Sequence, residues 1–222
     1  MQSKLPNLGV SIFSQMTGLA NQYQALNLSQ GFPEFDAPTL LKERLAHYSQ
    51  SGFNQYAPSS GVPALQQQIA QLVERKYGLA VNAEHSVTVT SGATEALYVA
   101  IQALVSPEDE VIVFDPAYDS YKPAIELAGG KTVHIALTAP DYKVDWQQVA
   151  EAITDKTKAI IINTPHNPST KTLKQADIEA LKHLLEQHDL YLISDEVYEH
   201  ICFDGQAHLS ALRDESLFAR SF

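Results

Sequence analysis

Apolar residues follow two rhythms along the chain. Early on the spacing is helical: Leu41, Leu45 and Tyr48 share one face, as do Leu65, Ile69, Leu72 and Val73. The second stretch opens after Pro63 and closes at Gly78, residue types that start and stop helices. From Val87 onward, short apolar runs alternate with longer helical ones. Val87–Thr90, Glu110–Phe114, Lys131–Leu137, Lys158–Ile162 and Leu190–Ser194 read as strands. Between them, Glu95–Val105 and Tyr118–Leu127 read as helices, as do a stretch capped by Asp145 and running to about Ile153 and one marked by Ile178, Leu181, Leu184 and Leu185. The first 30 residues are mixed, without strong period, and lead into Gln30-Gly31-Phe32-Pro33, a loop signal.

Alternating strands and helices with short connections predict an α/β fold: a mostly parallel sheet with helices on both faces. In such sheets ligands bind beyond the carboxyl ends of the strands. Four suggestive segments fall at those ends: Ser91–Thr94, Asp115–Tyr118, Asn163–Lys171 and Asp195–Tyr198.

Charge and cysteine usage narrow the partners. The formal net charge of −11 argues against binding nucleic acid or an anionic membrane surface nonspecifically. The single cysteine, Cys202, permits no intrachain disulfide and fits a reducing compartment. Met1 to Gly9 carries no signal-peptide pattern, and no apolar run approaches the ~20 residues of a membrane helix. The expectation is a cytoplasmic protein.

Each strand-end segment has a chemical reading beside a plain one. In Ser91-Gly92-Ala93-Thr94-Glu95-Ala96, small residues between strand and helix let backbone N–H groups approach an anion such as a phosphate. The same residues also make an ordinary helix cap. Tyr118 offers a ring on which a flat cofactor could stack, or is simply a core or surface tyrosine. In Asn163-Thr164-Pro165-His166-Asn167-Pro168-Ser169, two prolines restrict the loop that presents Asn167, and His166 reads as structural. Asp195-Glu196 places two carboxylates after a buried strand. One of them can hold a heterocyclic nitrogen protonated, and a solvated loop start is the alternative. Strand alternation sends Glu196 the other way from Asp195, so Glu196 is expected to matter less to the chemistry. No spacing of His, Cys, Asp and Glu suggests a metal site.

Taken in order, Gln30–Pro33, Asn54-Gln55-Tyr56, Ser91–Ala96, Pro116–Tyr118, Pro165–Ser169 and Ser194–Tyr198 resemble the class I/II aminotransferases of pyridoxal-phosphate fold type I, over essentially the whole chain. Phe114–Tyr121 and Ile193–Ile201 are similar in wording to the methionine-preferring branch and its kynurenine- and glutamine-transaminase relatives. The resemblance implies pyridoxal 5'-phosphate as cofactor, an amino acid and a 2-oxo acid as substrates, and a homodimer. Methionine or another bulky apolar or aromatic amino acid is the implied donor. It places Gly92, Ala93 and Thr94 at the cofactor phosphate and Tyr118 on the ring face. Asn167 and Tyr198 fall at the phenolic oxygen, Asp195 at the ring nitrogen and Gly31 by the substrate carboxylate. Tyr56 reaches the phosphate of the neighbouring subunit.

It further implies that residues 1–30 belong to the small domain or dimer arm, and that 31–222 form an incomplete cofactor-binding large domain. The Schiff-base lysine of the family falls beyond Phe222, so none of Lys122, Lys158, Lys171 and Lys174 is given that role, and the chain alone is expected to be inactive. Thr170 stands where the family often has glycine, a position that asks for an unusual backbone angle. A carbon–sulfur lyase on the same fold, or a non-catalytic cofactor-binding remnant, are the alternative activities.

Overall fold

Two compact units divide the chain, residues 7–59 and residues 60–222 with the first six. The computed structural model describes every residue except Met1, Asn7 and Phe32. Phe32 of the Gln30–Pro33 motif therefore lies outside the described residues.

The 7–59 unit holds α1 (Ile12–Gln22) and α2 (Thr39–Gln50). The Ser11 hydroxyl caps α1 by accepting the Ser14 amide at 3.3 Å. Helix α2 carries Leu41, Leu45 and Tyr48, as their spacing predicts. The sequence did not announce α1. Ile12, Met16 and Leu19 follow helical spacing, but all three are exposed, and Gly18 weakens the helical pattern.

The 60–222 unit runs α3 (Pro63–Tyr77), α4 (Ala83–Ser86), α5 (Ala93–Leu104), β1 (Glu110–Asp115), α6 (Tyr121–Leu127), β2 (Lys131–Ala136), α7 (Trp146–Ala152), β3 (Thr157–Asn163), α8 (Gln175–His188) and β4 (Tyr191–Asp195), then a 3-10 turn at Ala211–Arg213 and α9 (Glu215–Phe218). Gly78 ends α3 in the left-handed conformation at φ 80°, the conformation that glycine reaches without steric cost. Asp145 caps α7 by accepting the Gln147 and Gln148 amides, as expected. Among the described residues no helix is long and apolar enough to cross a membrane.

The four strands form one sheet in the order β2-β1-β3-β4, every pairing parallel. Strand alternation then sorts the core. Ile112, Phe114, Ile160, Ile162 and Leu192 face α7 and α8 on one side. Val111, Val113, Ala159, Ile161 and Ile193 face α5 and α6 on the other. Removing from water a side chain such as Ile101 or Leu181, both fully buried, contributes roughly 1.5–3 kcal/mol.

One expected strand is absent from this sheet. Val87–Thr90 is extended but pairs with no strand among the described residues. The Val89 amide instead donates to the Ser60 carbonyl at 2.9 Å. Alternating Val and Thr favour extended backbone, but a ladder also needs an edge to pair with. The free edge of β4 is taken by residues 220–222, through a parallel bridge of Leu192 to Ser221.

Candidate active site at the strand carboxyl ends

Because β1, β3 and β4 are parallel neighbours, their carboxyl ends, Asp115, Asn163 and Asp195, lie along one edge of the sheet. Asn163 ties that edge together. Its Oδ1 accepts the Asn167 amide at 2.7 Å, and its Nδ2 donates to the Asp195 carbonyl at 3.0 Å. The Thr164 amide donates to the same carbonyl at 3.0 Å. The exits of β3 and β4 are thus fixed to each other. Sequence reasoning quoted Asn163 only as the first letter of a motif, since a bond across 32 residues leaves no local trace.

On that frame the expected side chains meet in pairs. Asn167 Nδ2 donates to the Tyr198 hydroxyl at 3.1 Å. Thr94 Oγ1 lies 3.5 Å from the Tyr118 hydroxyl. Asp195, at the end of β4, accepts from the Tyr121 hydroxyl at 2.6 Å through Oδ2 and from the Val197 amide at 3.2 Å through Oδ1. Tyr121 is buried, and its phenol is pushed well above the usual range, first by burial and then by the Asp195 charge. It therefore stays protonated and donates to Asp195.

Gly92 is the N-cap of α5, at φ 89°, and no side chain caps the helix. The Ser91 and Thr94 hydroxyls are thus not spent as caps. A β-carbon added at Gly92 would meet nothing within 4 Å, so the space before the helix is open. The Glu95 carboxylate reaches back to the Ser91 amide, and the open space in front of the Ala93 and Thr94 amides is where an anion would sit.

Glu196 faces away from Asp195, as alternation predicts, but into a bed of donors. The carboxylate accepts from Ser194 Oγ at 2.7 Å, His208 Nε2 at 2.7 Å and the Ala211 amide at 2.9 Å. Burial alone would raise its pKa. The bonds from His208, Ser194 and Ala211 outweigh burial and hold the carboxyl below its ordinary value. The group with low expected importance is thus an anchor between the β4 exit and residues 208–211.

His166 behaves as structural. Burial holds its imidazole below the usual range, against an opposing bond with the Pro116 backbone, and its ring meets Ser169 Oγ at 2.8 Å. Thr170 adopts φ 62°, the left-handed angle that its position in the motif foreshadowed. Glu196, Glu199 and His208 gather within 4.8 Å, a cluster that the sequence spacing did not suggest. Lys76 Nζ lies 3.1 Å from Glu199, however, and the Tyr77 hydroxyl also donates to it, so protein donors already serve that carboxylate. Gly31 and Tyr56 belong to the 7–59 unit, where both are exposed.

These residues fit a phosphorylated, flat, nitrogen-bearing cofactor. The edge offers an open helix N-terminus, the Tyr118 ring, the Asp195 carboxylate and the Asn167–Tyr198 pair.

Comparison with known proteins gives the family. The family model described as aminotransferase class I and II matches residues 23–222. The methionine aminotransferase of Escherichia coli (strain K12) is 55% identical over 220 residues, covering 99% of this chain and 57% of that protein. A crystal structure from Escherichia coli, reported with a methionine aminotransferase function, superposes with a TM-score of 0.96 at 55% identity, covering 100% of this chain and 58% of that one. The N-succinyldiaminopimelate aminotransferase structure from Mycobacterium tuberculosis follows at TM-score 0.93 and 36% identity, with 100% and 58% covered. The chain therefore spans somewhat under three fifths of the length of the relatives it matches.

Proposed function

The chain belongs to the class I and II aminotransferases, and from that premise we propose that its strand-end edge is a pyridoxal-phosphate site serving transfer of an amino group from an amino acid to a 2-oxo acid. The observation that carries the proposal is convergence. Donors and acceptors from the exits of β1, β3 and β4 and from the start of α5 lie along one edge, linked through Asn163, Asn167–Tyr198 and Tyr121–Asp195.

Each residue then has a task. Gly92, Ala93 and Thr94 line the cofactor phosphate, with the Ala93 and Thr94 amides as donors, helped by the α5 dipole, while the Gly92 amide donates to the Thr90 carbonyl at 2.9 Å. Tyr118 covers one face of the ring. Asn167 and Tyr198 hold the ring oxygen. Asp195 keeps the ring nitrogen protonated through a charge-assisted bond. The cofactor, when bound, supplies an electron sink for the bond broken next to the amino group. Gly31 and Tyr56 are assigned to the substrate carboxylate and to the phosphate of a neighbouring subunit. The full exposure of Tyr56 in the single chain fits that second role and a homodimer. The one free thiol, Cys202, supports a cytoplasmic setting.

Methionine is the first donor to test, because the Escherichia coli relative is named for it. Titration with pyridoxal phosphate, followed by absorbance and thermal shift, should show saturable binding that inorganic phosphate competes with. In a chain completed with a family-like carboxy-terminal half, adding methionine to the loaded protein should change the cofactor spectrum and release the matching 2-oxo acid. Absence of saturable binding would refute the site. Binding by that completed chain without a spectral response to any amino acid would refute amino-group transfer.

A further inference from the structure

We infer that Tyr121 is a positioning residue for Asp195: its hydroxyl holds one carboxylate oxygen so that the remaining lone pairs stay oriented toward the cofactor's ring nitrogen. The inference rests on the reading of this edge as a pyridoxal-phosphate site.

A carboxylate at a strand end is free to rotate about its terminal bond, because that torsion is broad. Two donors remove the freedom here. Tyr121 Oη binds Oδ2 at 2.6 Å, and the Val197 amide binds Oδ1 at 3.2 Å. Each oxygen keeps a second lone pair for an outside donor. The Tyr121 side chain cannot wander. It stands in the first turn of α6 with 3% of its surface exposed, packed among Val111, Val113, Ile125 and Ile193. Its hydroxyl has no other bond among the described residues. Core packing would be served equally by phenylalanine, so a hydroxyl aimed at one carboxylate oxygen calls for a reason. The same ring meets Tyr118 edge-on, with centroids 5.8 Å apart and planes at 72°. Tyr121 thus braces both the group assigned to the ring face and the group assigned to the ring nitrogen.

Tyr121→Phe deletes only the hydroxyl and keeps the packing against Tyr118. The test compares dissociation constants for pyridoxal phosphate and for its 1-deaza analogue, in which carbon replaces the ring nitrogen. Wild type, Tyr121→Phe and Asp195→Asn are measured side by side, with thermal midpoints for each. Wild type should prefer pyridoxal phosphate, and Asp195→Asn should lose that preference. Tyr121→Phe should cut the preference about tenfold, the scale of one hydrogen bond to a charged group, with the analogue bound as in wild type. An unchanged preference in Tyr121→Phe would overturn the inference. So would equal weakening toward both ligands with a lowered midpoint, since that pattern marks a purely structural hydroxyl. If wild type and Asp195→Asn both bind the two ligands alike, the assignment of Asp195 itself fails and takes the Tyr121 inference with it.

Discussion

Replacing Glu196 by Gln should destabilise the protein by about 3 kcal/mol, although Glu196 stands outside the proposed cofactor site. The carboxylate serves three donors at once: Ser194 Oγ, His208 Nε2 and the Ala211 amide. A hydrogen bond to a charged group contributes roughly 1.5–3 kcal/mol net. The amide softens this only in part. Its carbonyl can face Ser194 and Ala211, the two donors that Glu196 Oε1 serves. Its NH2 must then face His208 Nε2, which has to accept by moving the imidazole proton to Nδ1. That nitrogen is buried and already lacks a partner, so the switch leaves a donor unpaired. In a chain of this size about 3 kcal/mol lowers the thermal midpoint by roughly 6–12 °C.

The effect must also depend on pH with a definite sign. The folded pKa of Glu196 lies below its ordinary value of 4.5, so the stability it contributes is present above about that pH and is lost as pH falls through the folded value. Urea denaturation of wild type and Glu196→Gln at several pH values measures both quantities. A difference under about 0.5 kcal/mol at neutral pH, or one that does not shrink on acidification, would refute the anchoring role.

Two further substitutions separate chemistry from scaffold. In a chain completed with a family-like carboxy-terminal half, Asp195→Asn should leave the fold intact but slow the half-reaction with methionine by roughly 10²–10³-fold, since about 3–5 kcal/mol of charged pairing falls on the reacting state and each 1.36 kcal/mol is tenfold; rates equal to wild type in rapid-mixing absorbance traces would remove it from the mechanism. Thr170→Gly should raise stability by about 0.5–1 kcal/mol, because a β-branched residue at φ 62° carries strain of about 1–2 kcal/mol that exceeds the extra chain entropy of glycine; a lower urea midpoint for the variant would contradict this.

The parts of the fold that were legible share one property: their signal is local. Apolar runs of strand length located β1 to β4, and the caps at Asp145 and Gly78 located helix ends to within a residue. Val87–Thr90 shows where local signal stops. Its alternation describes backbone shape correctly but carries no information about a partner. The site divides in the same way. Asn167, Tyr198, Asp195 and Tyr118 stood in short motifs at strand ends. Asn163 and Tyr121 act through bonds to the β4 exit, across 32 and 74 residues. A hydroxyl whose partner lies that far along the chain looks, in sequence, like any helix tyrosine.

The Asp195-Glu196 pair shows what sequence could and could not settle. The period of two in a strand requires adjacent carboxylates to face opposite sides of the sheet, and that much follows from the pattern alone. Ranking the two by importance does not follow, because it depends on what each side holds. Asp195 opens onto the edge where three strands end and keeps lone pairs free after binding Tyr121 and Val197. Glu196 enters a pocket of donors that leaves it nothing to offer a ligand. The two charges therefore solve different problems through the same turn. One is held ready for an outside cation, and the other fixes residues 208–211 to the β4 exit so that the first stays in place. Loss of either should impair the site, Asp195 at full stability and Glu196 through the fold.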